Sequence, residues 1–472
     1  MSDEPVLHPQ RLFASCPRQR AIATELYEAV RALPIVSPHG HTDPRWFADN
    51  QPFANPAELL VQPDHYLLRM LCSQGLRLPS LGIAPAAGDE AVERDPAQVW
   101  QRFAGHYHLF RGTPSRLWMD HVLVEVFGID QPLCAANAQE IYRRIDAALQ
   151  SPEFLPRALF ERFNIEVIAT TESPLDPLDA HRKLAGDPWH GRVITAFRPD
   201  PVLDPEYEGF AANVQRLGEL AGEDCGTYRG YLAALRERRA WFKGFGATST
   251  DHGHPSARTE DLSPAVCEQL YAGALQGSLT PEEAERFRGQ MLTEMALMSL
   301  DDGLVMQLHP GVYRNHNPRL FAAFGRDRGA DIPLPCEFVR NLKPLLDRVG
   351  DEPGFRLILF TLDETTYARE LAPLAGHYPS LLVGPPWWFH DSPEGMLRYR
   401  QQITETAGFY NTAGFNDDTR AFLSIPARHD VARRMDCRFL AQLVAEHRLR
   451  MDEARELAAE LAYHLAKRAY RL

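Results

Sequence analysis

The sequence predicts an α/β fold, a closed (β/α)8 barrel of the TIM type with a helical lobe inserted after its first strand. Three observations carry this expectation. Eight short apolar segments punctuate the chain, helical patterns separate them, and polar side chains recur just beyond their ends. An open doubly wound sheet is the competing arrangement, but no GxGxxG turn follows the first segment.

The first strand is expected at "LPIVS", residues 33–37, after an N-terminal segment, so that residues 1–41 form the opening unit. Residues 42–160 are expected to be mostly helical. "DHYLLRMLCSQGL", "DPAQVWQRFAGHYHLF", "PSRLWMDHVLVEVFG" and "NAQEIYRRIDAALQ" place apolar residues three and four apart, with Asp, Asn or Ser near their starts. The remainder of the barrel, 161–425, supplies strands at "IEVIATT" (165–171), "RVITAF" (192–197), "GATST" (246–250), "LVMQL" (304–308), "RLILFTL" (356–362), "LLVG" (381–384) and "FYNTAGF" (409–415). Among the intervening helices, Thr280, Pro281 and Glu283 spell a capping box with proline at the first helical position. Residues 426–472 are expected to be helices packed on the barrel, with a solvated face rich in Arg and Glu.

Composition narrows the function. The 472 residues are 44% hydrophobic and 24% charged, with no apolar run long enough to span a membrane and no secretory-type start. A cytoplasmic protein is expected. Its seven cysteines are scattered singly, which opposes a zinc cluster or a disulfide framework. A net charge of −13 opposes a nucleic-acid partner but leaves room for a local cationic pocket. Apolar positions on the last helices could serve a homo-oligomer.

In such a barrel the active site lies where the strands end. His39 and His41 follow the first strand, Arg198 and Asp200 the third, Asp251 and His252 the fourth, and His309 the fifth; Trp387 and Trp388 follow the seventh, and Asp418 and Arg420 the eighth. Each alone could be a cap, a turn residue or a satisfied core histidine. Their recurrence at one rim points to a site. His39 and His41, with Asp418 brought beside them by closure, suit zinc or another first-row divalent ion.

The segments "HGH", "PDHYLLRMLCSQG", "FRPD", "STDHG", "QLHPG", "PPWWFHD" and "DDTRAF", in that order, resemble the uronate isomerases, a branch of the amidohydrolase superfamily, over residues 33–425. The resemblance implies a barrel of the metal-dependent hydrolase kind that interconverts hexuronates and ketohexuronates. It implies metal ligation by His39, His41 and Asp418, catalysis by Asp418 and Arg420 joined by His65 and Tyr66, and a site role for Trp388. Gly40 stands where members of the family more often have cysteine. Arg69 of the "DHY" segment, Asp251 and His309 are further candidates for contact with substrate.

The chemistry of the residues agrees with that implication. Aldose–ketose isomerisation moves a proton between adjacent carbons through a cis-enediol, which a carboxylate base beside a cation can do, here Asp418 beside Arg420. Arg198 is a candidate fork for the C6 carboxylate of D-glucuronate or D-galacturonate, with a salt bridge to Asp200 as its alternative. A carboxylate gripped by a cation is a poor base, so the metal is expected to be weakly bound and not strictly required. The resemblance to the amidohydrolase superfamily, which usually adds a lysine on the fourth strand, implies by the lack of one here that the site is not binuclear. A metal-dependent hydrolase of a sugar lactone and a silent sugar-acid binding protein are the competing functions.

Overall fold

The structure, a computed structural model, describes residues 5–86 and 90–472. Seven parallel strands curl into one sheet in chain order: β1 (Ile35–Ser37), β2 (Ile165–Glu172), β3 (Arg192–Phe197), β4 (Ser249–His252), β5 (Val305–Leu308), β6 (Leu357–Leu359) and β7 (Leu381–Val383). These runs are rich in Val, Ile and Leu because a parallel strand is covered on both faces, and apart from Arg192 and Val193 at the start of β3 they are largely buried.

The eighth position departs from expectation. Residues 409–415 form no ladder strand; Thr412 makes a single parallel bridge to Val383. Gly414 has φ of +76°, and a Cβ there would lie 2.6 Å from the amide nitrogen of Ala466, so the chain bends where a strand would continue. The barrel closes through the His41 amide, which donates to the Thr419 carbonyl at 3.0 Å. The fourth strand is also shifted. It begins at Ser249, after a turn at Gly246 (φ +86°), so Asp251 and His252 lie inside the strand and face opposite ways. His252 meets Thr250 at 3.0 Å and lies away from the rim where it was expected.

Between β1 and β2 the chain is helical, including Pro56–Leu60, His65–Ser73, Pro96–Gly105, Pro114–His121 and Ala138–Leu149. Side chains of Asn55, Asp64, Asp95 and Thr113 cap four of these N-termini, and three of the five helices begin with proline. Leu67, Leu71, Trp100, Phe103, Ile141 and Ile145 share a core that continues through Phe47 and Phe422 toward the barrel. The Thr280–Glu283 capping box opens the helix Pro281–Asp302. An excursion after β5 was not anticipated: Val312–Tyr313 and Ile332–Pro333 pair as an antiparallel ribbon, with the helix Pro318–Phe324 between them, at the barrel mouth. No described helix is long and apolar enough to cross a membrane.

Candidate active site

Beyond the end of β1, His39 and His41 both turn toward Asp418. Their Nε2 atoms lie 3.4 and 3.2 Å from Asp418 Oδ1. His309, just past β5, stacks on His39 with ring centroids 4.9 Å apart. One donor atom each from His39, His309 and Asp418 falls within 4.8 Å of the others. His309 Nδ1 meets Asp251 Oδ1 at 2.7 Å, which leaves its buried Nε2 without a hydrogen-bond partner.

These residues fit a divalent cation. Ligands at about 2.0–2.1 Å in a tetrahedron are separated by about 3.3 Å, close to the spacing of the two imidazoles from Asp418. The carboxylate behind His309 is the kind of outer partner that fixes the tautomer of a ligating imidazole. His309 therefore joins the candidate donors, whereas the sequence placed it among groups that touch substrate. Asp251, likewise expected at the substrate, is committed to His309 and Arg198, being only 1% exposed. Burial would raise the Asp418 carboxyl, but His39 and His41 hold it well below the usual carboxylate range. Burial lowers His41 and His309 against the carboxylates beside them, which keeps both neutral and able to ligate. Asp418 also sits at φ +39°, a left-handed conformation of the kind found at functional sites.

Arg198 is not a free fork. Its Nε pairs with Asp200 at 2.9 Å and its Nη1 with Asp251 at 3.0 Å, so both the expected alternative and a partner distant in sequence hold it. Arg420 pairs with Asp327 of the mouth excursion at 3.0 Å. Burial would raise Asp327, but Arg420 brings it down to about 2.

His65 and Tyr66 open a helix whose N-cap, Asp64, accepts from the Tyr66 and Leu67 amides. The His65 ring stacks on Tyr66 and meets Trp388 edge-on, both at 4.9 Å. Burial and the Arg420 charge lower His65 to about 3, so it is neutral. The Tyr66 hydroxyl donates to Asp391 at 2.8 Å, and burial with that carboxylate raises it well above its ordinary value. Arg428 pairs with the same Asp391 at 3.0 Å and lies 3.6 Å over the Trp118 ring. Arg69 is exposed, stacks 4.7 Å over Phe389, and does not line the cavity.

The cavity measures about 910 Å3 and is lined by His39, His41, His65, Tyr66, Arg198, Asp251, His309, Trp388, Asp418 and Arg420. Asp327, Asp391, Arg314 and Arg428 also line it and were missed. Asp391 stood within the quoted "PPWWFHD", whereas Arg428 lies in a helix assigned to packing and Asp327 in a stretch without strand character.

A family model described as glucuronate isomerase matches residues 16–470. A uronate isomerase from Xanthomonas axonopodis pv. citri is 64% identical over 466 residues, covering 99% of this chain and 98% of the relative. Among solved structures, glucuronate isomerase from Caulobacter crescentus superposes with a TM-score of 0.97 at 57% identity, covering 99% of this chain and 98% of that one. Uronate isomerase from Thermotoga maritima gives 0.91 at 27% identity, covering 98% and 99%.

Proposed function

The chain belongs to the glucuronate isomerase family, enzymes that interconvert uronates, and from that premise we propose that it converts D-glucuronate to D-fructuronate, and D-galacturonate to D-tagaturonate, through a cis-enediol. One observation carries the assignment of roles. Asp418 faces His39 and His41 with the single oxygen Oδ1, and its Oδ2 has no protein partner among the described residues. The two oxygens divide the work: Oδ1 belongs to the donor cluster, and Oδ2 takes the proton from C2 and returns it to C1.

Arg420, released from Asp327 by the incoming substrate, lies beside the developing enediolate and stabilises its charge. His65, neutral, exchanges hydrogen bonds with the neighbouring oxygens. Tyr66, its hydroxyl committed to Asp391, holds His65 by stacking and acts as a positioning residue. Trp388 offers a buried indole N–H without a partner to a sugar hydroxyl. The C6 carboxylate meets guanidinium groups at the mouth, Arg326 and Arg314, the latter paired with Asp331 at 3.0 Å, while Arg198 orders Asp251. His39, His41, His309 and Asp418 would hold a divalent cation, zinc in the first instance, bound weakly. Such an ion polarises the substrate's oxygens when present.

We place the enzyme in the cytoplasm, consistent with seven free cysteines. Residues 42–160 act in this reading as an inserted lobe that brings His65 and Tyr66 over the barrel. The test is proton NMR of D-glucuronate and D-galacturonate incubated with the protein in deuterated water. Ketouronate signals with exchange at the transferred position are expected; a product that has taken up water, or no turnover, would overturn the proposal in favour of a hydrolase or a binding protein.

A further inference from the structure

Opposite the mouth, the barrel is stoppered by the helix Leu465–Tyr470. Lys467 Nζ donates to Glu166 Oε1 at 2.6 Å near the start of β2, and Arg471 donates to the carbonyls of Gly303 and Gly354 at 2.6 and 2.8 Å, just before β5 and β6. Ala466 packs with Val36, Val167, Ala169 and Ile194 of the first three strands.

From this stopper Tyr470, 0% exposed, carries its hydroxyl into the barrel interior. It donates to Gln307 Oε1 and accepts from Asn416 Nδ2, both at 3.0 Å. Gln307 lies two residues before His309, and Asn416 two residues before Asp418. Gln307 is fixed in turn by donating to Ser249 Oγ at 3.2 Å. On β5 the two-residue step leads along one face, so Gln307 forms the layer beneath His309.

We propose that Tyr470 is a positioning residue of the active site, its one hydroxyl tying Gln307 to Asn416 and so setting the spacing between His309 and Asp418. The need for such a tie comes from the eighth barrel position. There a single bridge to Val383 and one backbone bond to His41 replace a ladder, so sheet pairing alone does not locate Asp418. Removing the hydroxyl leaves a buried acceptor and a buried donor without partners, and both must move to recover them.

This inference deepens the proposed metal cluster and rests on it for one of its two measurements. Tyr470→Phe keeps the ring and removes the tie. Turnover of D-glucuronate and Zn2+ affinity, the latter by competition with a chromogenic chelator, are measured on wild type and variant. Outer partners of metal ligands typically change affinity or activity by about 10- to 100-fold; acting through two residues of backbone and touching no candidate ligand, Tyr470 should have a smaller effect, with kcat and Zn2+ affinity each falling roughly 3- to 30-fold and KM within about twofold. Wild-type kcat and wild-type Zn2+ affinity in the folded variant would overturn the proposal. Should the wild type itself bind no Zn2+, the metal reading fails and the kcat comparison alone decides for or against Tyr470. Should Tyr470→Phe fail to fold, Gln307→Met cuts the His309 half of the tie and is judged by the same constants.

Discussion

Replacing Arg198 by lysine separates two roles that its place in the sequence leaves open. Its guanidinium spans Asp200 at 2.9 Å and Asp251 at 3.0 Å, and Asp251 in turn holds His309 at 2.7 Å. A lysine ammonium is a compact point charge that cannot reproduce the fork, so one of the two charge-assisted contacts is lost. Such a contact is worth about 1.5–3 kcal/mol. Asp251 is 1% exposed, so a weakened partner is felt almost unscreened, while the retained positive charge spares the full roughly 3–5 kcal/mol of breaking a buried pair. A loss of about 2 kcal/mol follows; with an unfolding entropy of roughly 1 kcal/mol/K for a chain of this length, it appears as a fall of about 2 °C in the melting midpoint. Because Asp251 orients His309, kcat should fall as well, while KM for D-glucuronate moves by less than about threefold, since under about 0.7 kcal/mol of binding is at stake. Scanning calorimetry and steady-state kinetics on the same preparation check both. A tenfold rise in KM with an unchanged melting midpoint would refute the reasoning and return Arg198 to the substrate carboxylate.

Asp418→Asn should lower kcat by about 10²- to 10⁴-fold, the range for losing a general base, and Arg420→Met should slow turnover without adding to it, since both act on one transition state; steady-state rates of the singles and the double check this. Burial lowers His65 and His252 to about 3 and His121 and His181 to about 4, from 6.5. The unfolded chain takes up these protons first, so their contribution is present above about pH 6.5 and lost as pH falls toward 3–4; urea midpoints should be lower at pH 5 than at pH 7, and equal midpoints would contradict it. Burial raises Glu172 from 4.5 to about 7, so Glu172→Gln should stabilise the protein at pH 8, where the buried carboxyl must ionise, and change little at pH 4, as melting curves at the two pH values would show. At Gly40 a Cβ would sit 3.4–3.7 Å from Thr419 O, Asp417 Oδ1 and Ala169 O, an ordinary contact, so Gly40→Ala should keep kcat within about twofold and gain about 0.4–1 kcal/mol in denaturant unfolding.

The barrel was legible because its strands are short aliphatic runs that a parallel sheet demands, and His39, His41 and Asp418 were legible because closure makes the first and eighth positions neighbours. What the sequence hid was contact between distant residues. The pairing of Arg198 with Asp200 is two residues away and was an open alternative, whereas its pairing with Asp251 spans the gap between two strands. His309 counted as a rim residue until the partnerless Nε2 and the stacking on His39 put it in the donor cluster. Residues 409–415 have strand composition, yet the approach of Ala466 to Gly414 overrides it. Tyr470 sits in a helix whose pattern suggests packing, and nothing local in its sequence marks the hydroxyl as reaching Gln307 and Asn416.

The one-sided engagement of Asp418 has a stereochemical consequence. In the proposed mechanism Oδ1 is turned to His39 and His41 and Oδ2 is the atom that faces the sugar, on one side of the planar enediol. Removal from C2 and delivery to C1 must then occur on the same face, a suprafacial transfer. Of the two hydrogens on the new hydroxymethyl carbon, a single prochiral one descends from the base. The enzyme thereby writes its handedness into an achiral position of its product.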